Sequence, residues 1–339
     1  MSQRMLFHAT ARLKGWYQWR AYDKGGRPIL VDVLDRHGQL KARRHAGPVM
    51  PNLILDNGID WLFTETGSMG NWRQTLVVGT GSAAPDVTDA ALGSAVSTTA
   101  HGGESVSNTG GDVGDNYVYS SEVIRRRELT TAENLTEFGF NTSSAVVLSI
   151  RELFRDELGD PITLSGMQPG NIIEVKHTLD ITAPRKGVEG QFDIEERDAA
   201  NTLVDTVSYD IEGGFYARAA GRDMFVNFIR AWPNSGFTLT YFASAFDLPT
   251  LGASGGSGTT NMATTRSTYT AGTFQVDRDI RPSLNQVNGV WYGFSYASYI
   301  TSDSNGAAGY NVKLVTPTTF EKLDTHTMSL AFRHSLARA

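Results

Sequence analysis

The chain has 339 residues, enough for one large or two ordinary domains, each with a core of its own. Only 19% of residues are charged, 35 are glycine and the net charge is −6. That balance favours short strands joined by turns, and it argues against a nucleic-acid partner, whose phosphates need clustered Lys and Arg. The absence of cysteine removes disulfides, thiolate nucleophiles and thiolate metal sites. The N-terminal residues contain no apolar core of signal-peptide length, and no run approaches the roughly 18 apolar residues of a membrane span. If the protein ends up outside a cell, lysis or assembly is expected to take it there, with no secretion and no membrane insertion.

In chain order, residues 11–50 read as hairpins. Gly15–Tyr22 is rich in aromatics, Asp23–Gly26 is a turn signal, and a second turn falls at Asp35–Gly38. Ile54, Leu55, Ile59, Leu62 and Phe63 have the spacing of a short helix, with Asp56 or Asn57 as its N-cap. Thr75–Val78 is an apolar run entering Gly79-Thr80-Gly81. Thr98–Asn116 has almost no apolar residue and reads as a long exposed loop. Tyr117–Val123 alternates like a strand. Ser149–Leu158 fits both helix and strand spacing, and the strand is preferred because Gly159-Asp160-Pro161 closes it with a turn.

Asn171–Thr182 is the clearest strand, with Ile173, Val175, Leu179 and Ile181 opposed to Glu174, Lys176, Thr178 and Asp180. Further strands are expected at Gln191–Glu196, Leu203–Ile211, Phe237–Phe242, Val290–Ile300 and Thr327–Phe332. A helix is expected at Ala220–Trp232, and a low-complexity loop at Gly252–Gly272.

Gly79-Thr80-Gly81-Ser82-Ala83-Ala84 has the form of a dinucleotide fingerprint, but Pro85-Asp86 follows where a helix must begin. The acidic residue that motif needs about 20 positions on has only Glu104 as a candidate. A turn at a strand end is the better reading. None of the histidines (His8, His37, His45, His101, His177, His326, His334) has a partner at metal-ligand spacing. His177 sits on an apolar strand face and reads as a satisfied core imidazole. His101 near Glu104 reads as a solvated loop residue.

Carboxylates cluster at Asp156/Glu157/Asp160 and Glu195/Glu196/Asp198, yet strand neighbours point to opposite faces, so solvated turn and edge roles are expected. Arg125-Arg126-Arg127 and Arg43-Arg44 are the basic runs, and alternation splits the first between two faces. Intersubunit salt bridges or solvation are expected for them. Trp16, Trp19, Trp232 and Trp291 are expected in core or interface packing before any sugar-stacking role.

Three blocks carry a resemblance. They are Asn52-Leu53-Ile54 with Asn57-Gly58-Ile59-Asp60, then Val77-Val78-Gly79-Thr80-Gly81 with Pro85, Asp89 and Leu92-Gly93, and finally Asn134-Leu135-Thr136-Glu137-Phe138-Gly139. With the continuation Leu153-Phe154-Arg155, Gly159–Thr163 and Leu179-Asp180-Ile181, this pattern resembles tail fibre and minor tail virion proteins of tailed bacteriophages over roughly residues 10–183. The resemblance implies a β-structured tail subunit and carries no catalytic residues. Physically, Gly79 and Gly81 suit a turn closed to β-branched residues, while Asn134 and Glu137 can satisfy turn amides.

The fold expected is all-β, an antiparallel sandwich type with an N-terminal hairpin arm (1–50), a signature-bearing domain (51–185) and a second β-rich part (186–339). The resemblance implies a homo-oligomeric structural component of the virion tail, assembled in the host cytoplasm. It would act in tail assembly and host attachment, against other tail or connector proteins and conceivably a host glycan. No catalytic, cofactor-binding or metal-binding residue is expected. The alternatives are a tailspike-like polysaccharide depolymerase, a non-catalytic glycan-binding module and a head-decoration protein.

Overall fold

A computed structural model describes residues 5–64, 69–142, 147–186, 188–197, 200, 202–217, 237–242, 258–262, 264–266, 268–280, 288–298, 308–314, 320–327 and 330–339. The chain forms two compact units. One comprises Leu13–Asn108, Ser120–Asp180 and Arg338–Ala339, and the other Met1–Arg12, Thr109–Tyr119 and Ile181–Ala337.

The elements through the first unit are β1 (Met5–Tyr22), β2 (Val31–Leu34), β3 (Leu40–Arg44), β4 (Met50–Ile54), α1 (Asp56–Thr64), α2 (Met69–Trp72), β5 (Thr75–Gly79), β6 (Thr98–Ala100), β7 (Ser105–Val113), β8 (Asn116–Leu129), β9 (Glu133–Leu135), β10 (Glu137–Asn141), β11 (Leu148–Leu153), β12 (Thr163–Met167) and β13 (Ile172–Pro184). The all-β expectation holds, and the strand pairs with a defined register are antiparallel. Strands run in the order β1-β4-β11-β10-β5, with β13 pairing β1 and β8, and β8 pairing β6 and β7. A separate sheet has the order β3-β2-β12-β9.

Alternation explains these strands. In β1, Leu13, Tyr17, Trp19 and Ala21 are buried while Arg12, Lys14 and Arg20 are exposed. Tyr17 meets Phe138 at 4.6 Å between ring centres, Phe138 lies 5.3 Å from Phe154, and Trp19 lies 6.4 Å from Phe154. Burying each such ring contributes roughly 1.5–3 kcal/mol, so this cluster is the centre of the unit's stability. The predicted face of β13 is observed, with one departure: Glu174 is buried and ion-paired to Arg126.

The helix forms where expected, but its predicted cap does not. The Leu55 carbonyl accepts from Gly58 and Ile59, so Asp56 and Asn57 already lie in the first turn. Gly58 rests on β11, where an added Cβ would lie 2.6 Å from the Ser149 carbonyl oxygen. The ambiguous Ser149 segment is strand, β11, buried on both faces. At Asp35–Gly38 the hairpin turn holds, with Gly38 at φ 78°.

The Thr98–Asn116 expectation is overturned. Its residues are exposed as a polar tract should be, yet Ser105–Val113 is strand because β8 supplies a hydrogen-bonding partner. Tertiary pairing here overrides a sequence without alternation. Likewise the expected loop at Gly252–Gly272 contains strands at Gly258–Met262 and Thr264–Arg266.

The other unit holds β14 (Val188–Arg197), β15 (Leu203–Ala217), β16 (Phe237–Phe242), β17 (Gly258–Met262), β18 (Thr264–Arg266), β19 (Gln275–Ile280), β20 (Gly289–Trp291), β21 (Gly293–Ser298), β22 (Ala308–Leu314), β23 (Phe320–Lys322), β24 (His326–Thr327) and β25 (Leu330–Arg338). A seven-stranded sheet runs β17-β16-β21-β22-β15-β14-β24. β19 pairs β18 and β25, with Asp277 and Arg333 directly opposite and ion-paired at 2.7 Å. Ile211, Val276, Trp291 and Leu336 are buried. The helix expected at Ala220–Trp232 lies outside the described residues.

Candidate functional site

The three signature blocks converge on one structure in the first unit. β10 lies between β5 and β11, with Glu137 opposite Gly79 on one side and Gly139 opposite Arg151 on the other. Glu137 and Arg151 are therefore diagonal neighbours on adjacent strands, within reach of each other. Beyond Gly79 the chain makes a loop that returns to its own origin: Gly79 bridges Ala95, and the Thr80 amide donates to the Ser94 carbonyl at 2.8 Å. Such a loop has closed ends and must satisfy its own interior.

Glu137 does this. Its fully buried carboxylate accepts the amides of Gly81 (3.0 Å), Ser94 (2.9 Å) and Gly93 (3.2 Å). Arg151 donates to the same carboxylate through Nε and Nη2, each at 2.9 Å. The remaining Arg151 groups reach Asp89 and the Ala83 carbonyl. Asp89 also accepts the Asp86 amide, and Asp86 in turn accepts Thr88 through both its amide and hydroxyl, which holds the Asp86 carboxyl below its usual range. Burial opposes the charge on Arg151, but bonds to Asp89 and Glu137 outweigh it and raise its pKa.

A phosphate cradle is a set of loop amides aimed at an anion. Here the amides are present, but the anion is the protein's own Glu137. The glycines matter through close approach, since Gly79 and Gly81 have no positive φ among the described residues. A Cβ on Gly81 would lie 2.3 Å from the Glu137 carboxylate oxygen, and one on Gly79 would lie 2.5 Å from the Ser94 carbonyl oxygen. The first block joins the same structure: the Asp56 amide donates to the Val87 carbonyl, and the Asn57 side chain to the Asp89 carbonyl. Asn134 satisfies turn groups as expected, accepting Ser165 Oγ at 2.8 Å and the Gly166 amide at 3.2 Å.

No protein-family model, curated protein or solved structure matches the chain. Its residues alone must therefore say what the site does.

A second buried cluster surrounds His177. Arg73, fully buried, donates to the Ser121 carbonyl (3.0 Å) and to Ser121 Oγ (2.6 Å), and lies 2.8 Å from His177 Nδ1. Because a guanidinium only donates, Nδ1 accepts, and the Nε2 proton is directed at Asn52 Oδ1, 3.0 Å away. Burial first, and the Arg73 charge second, hold the imidazole pKa well below its ordinary value. His177 is thus a neutral core residue, as the sequence suggested.

The basic run divides as alternation requires, but not into solvent. Arg125 and Arg127 are buried; Arg125 donates to the carbonyls of Arg73 and Gln74 just before β5, and Arg127 to that of Leu76 within it. Together they satisfy carbonyls at the entry to β5, the strand that pairs β10. Desolvation lowers both guanidinium pKa values, against the opposing pull of Glu104. Arg126 faces the other way, its Nε and Nη2 both 2.7 Å from one carboxylate oxygen of Glu174, with the guanidinium 5.2 Å from the centre of the Tyr22 ring.

Asp156 also departs from expectation. It is buried, paired with Lys41, and accepts the amides of Leu158 and Asp160. Burial alone would raise its pKa, but Lys41 and those amides leave it lowered. Glu157 pairs with Arg44. Glu195 and Glu196 sit on β14 opposite Thr327 and His326, while Asp198 and Trp232 lie outside the described residues. His101 is half-buried beside the Gly102 carbonyl, and Glu104 pairs instead with Arg125 and Arg127. Trp19 and Trp291 are buried, and Trp16 is half-buried.

Among the described residues no group of three or more His, Asp or Glu is placed to hold a metal ion. An open hollow of about 540 Å³ lies beside the signature, lined by Thr80, Glu133, Asn134, Thr136 and Gln168 among others. Its groups are hydroxyls, amides and one carboxylate, with no base and nucleophile in contact.

The sequence reading missed Arg151 altogether. A signal was available: Arg151 and Glu152 follow Leu148-Ser149-Ile150 in a strand that carries no other charge, and buried charges must be paired.

Proposed function

We propose that the chain is a structural subunit of a bacteriophage tail, a homo-oligomeric fibre, collar or baseplate-proximal component acting in tail assembly and host attachment. It would be assembled in the host cytoplasm, and its partners are further copies and neighbouring tail or connector proteins. One observation carries the reading. The signature residues that resemble tail proteins serve to lock a loop: Glu137 is saturated by three amides and Arg151, so the groups of that network are committed to holding shape. A subunit that presents a fixed surface for repeated contacts needs this kind of rigidity, since modest contacts multiply under symmetry.

Antibodies against the purified chain, applied to intact particles and followed by electron microscopy, test the proposal. Label at the tail is expected, whereas label over the head shell would overturn it in favour of decoration. Incubation with surface polysaccharide of the host provides a second arm. No new reducing ends are expected, and robust release would replace the structural reading with a depolymerase.

A further inference from the structure

The hollow of about 540 Å³ beside the signature lies wholly within the first unit, next to an irregularity in the sheet. Strand β12 pairs β9 at Leu164–Leu135 and again at Met167–Glu133, so Ser165 and Gly166 together stand against Asn134 alone. The extra residue makes a β-bulge, which Gly166 accommodates at φ 78°. A bulge bends its strand and re-aims the side chains around it, and Glu133, Asn134, Gly166 and Met167 all line the hollow.

The lining is fixed by bonds within the chain. Asn134 Oδ1 accepts Ser165 Oγ at 2.8 Å and the Gly166 amide at 3.2 Å, which pins the bulge. Thr136 ties the lining to the locked loop, its amide donating to the Gly79 carbonyl at 2.9 Å and its hydroxyl to the Gly81 carbonyl at 2.7 Å. Other groups stay uncommitted. Among the described residues, the hydroxyls of Thr80 and Thr163, the Asn134 Nδ2 group and Gln168 Oε1 have no partner. Glu133 accepts the Thr131 hydroxyl at 2.8 Å and pairs with no cation there.

This inventory selects a ligand class. The lining contains no Lys, Arg, His or aromatic residue. Nothing in it neutralises a phosphate or carboxylate, and Glu133 repels one. A single carboxylate does not make the oxygen cage of a calcium site. The apolar lining is Ala132 and the buried Met167, too little for a hydrophobic ligand. A peptide strand needs an edge to pair with, and β9 is three residues long. A neutral ligand dense in hydroxyls fits, because each hydroxyl both donates and accepts and so matches mixed amides, hydroxyls and a carboxylate.

We infer that the hollow between β9 and β12 binds a neutral saccharide, held by Thr80, Thr163, Asn134 and Gln168, with Glu133 excluding acidic sugars. A preorganised lining limits the ordering cost of binding. Without a ring to stack on, one site is weak, with a Kd of about 1 mM, and repetition in an oligomer raises the avidity. The inference rests on the host-attachment part of the function proposed above and names its ligand class.

Saturation-transfer NMR on the full-length chain tests it, with the methyl glycosides of glucose, galactose, mannose and N-acetylglucosamine as probes and glucuronic acid as the charged counterpart. Saturable transfer to at least one neutral glycoside is expected, with none to glucuronic acid. Thr80→Val and Thr163→Val remove uncommitted hydroxyls and leave the bulge bonds intact. Each should weaken binding about threefold or more at unchanged thermal unfolding. Glu133→Gln keeps an acceptor for Thr131 and should admit glucuronic acid. The site is overturned if no neutral glycoside shows saturable transfer at about 20 mM. It is equally overturned if both valine variants bind like the wild type, or if the wild type takes glucuronic acid as well as glucose. Each of these failures leaves the assembly reading standing, since that reading is tested by particle labelling and by the mass of the chain.

Discussion

The loop from Thr80 to Ser94 and the ribbon around Leu203–Asp210 are both poor in the long apolar runs that build cores, yet they settle in opposite ways. The loop turns its polar groups inward, where Glu137 gathers three amides and Arg151 neutralises it. The ribbon turns even its aliphatic groups outward. A buried polar group must be satisfied by a partner in the same chain, whereas an exposed apolar group invites one from another chain. The contrast places stability in the first region, where the polar groups are held by partners within the chain.

Breaking the inward region should have the largest effect. Glu137→Ala strands a buried guanidinium and three loop amides, and it should cost about 3–5 kcal/mol in chemical denaturation. Glu137→Gln, which keeps an acceptor, should cost less. Gly81→Ala drives a methyl group against the Glu137 carboxylate, and about 1–3 kcal/mol is expected in the same measurement.

His177 adds a pH dependence to this unit. Its folded pKa is depressed, so the unfolded chain takes up a proton near 6.5 that the buried imidazole refuses. Stability from this group is complete above that value and is lost as pH falls below it towards the folded pKa. Unfolding free energies at about pH 7.5 and about pH 5 should differ in that direction, and a His177→Asn chain should show a shallower dependence. The outward region should give the smallest effect: Leu203→Ser should change unfolding by no more than about 0.5 kcal/mol. A large loss there would mean that the ribbon is part of a core, and the comparison would fail.

Much of the first unit is legible in the sequence because alternation sets which face is buried. β1, β8 and β13 follow it, and the Asp35–Gly38 turn follows from its residue types. Strand β7 is not legible, because Ser105–Val113 has no pattern of its own and takes its conformation from β8. Arg125, Arg127 and Asp156 are charged residues that composition assigns to solvent, but strand edges and turns supply enough partners to bury them. For the signature, the sequence offers Glu137 as an amide acceptor but gives no sign that Arg151 is its counter-charge. The two are 14 positions apart and meet only when β10 and β11 pair.

The central claim is that this chain works by assembling, and the mass of the purified wild-type protein tests it most directly. A stable species at a whole-number multiple of 36.9 kDa, two or higher, is the predicted result. A monomer that persists as concentration rises would contradict it.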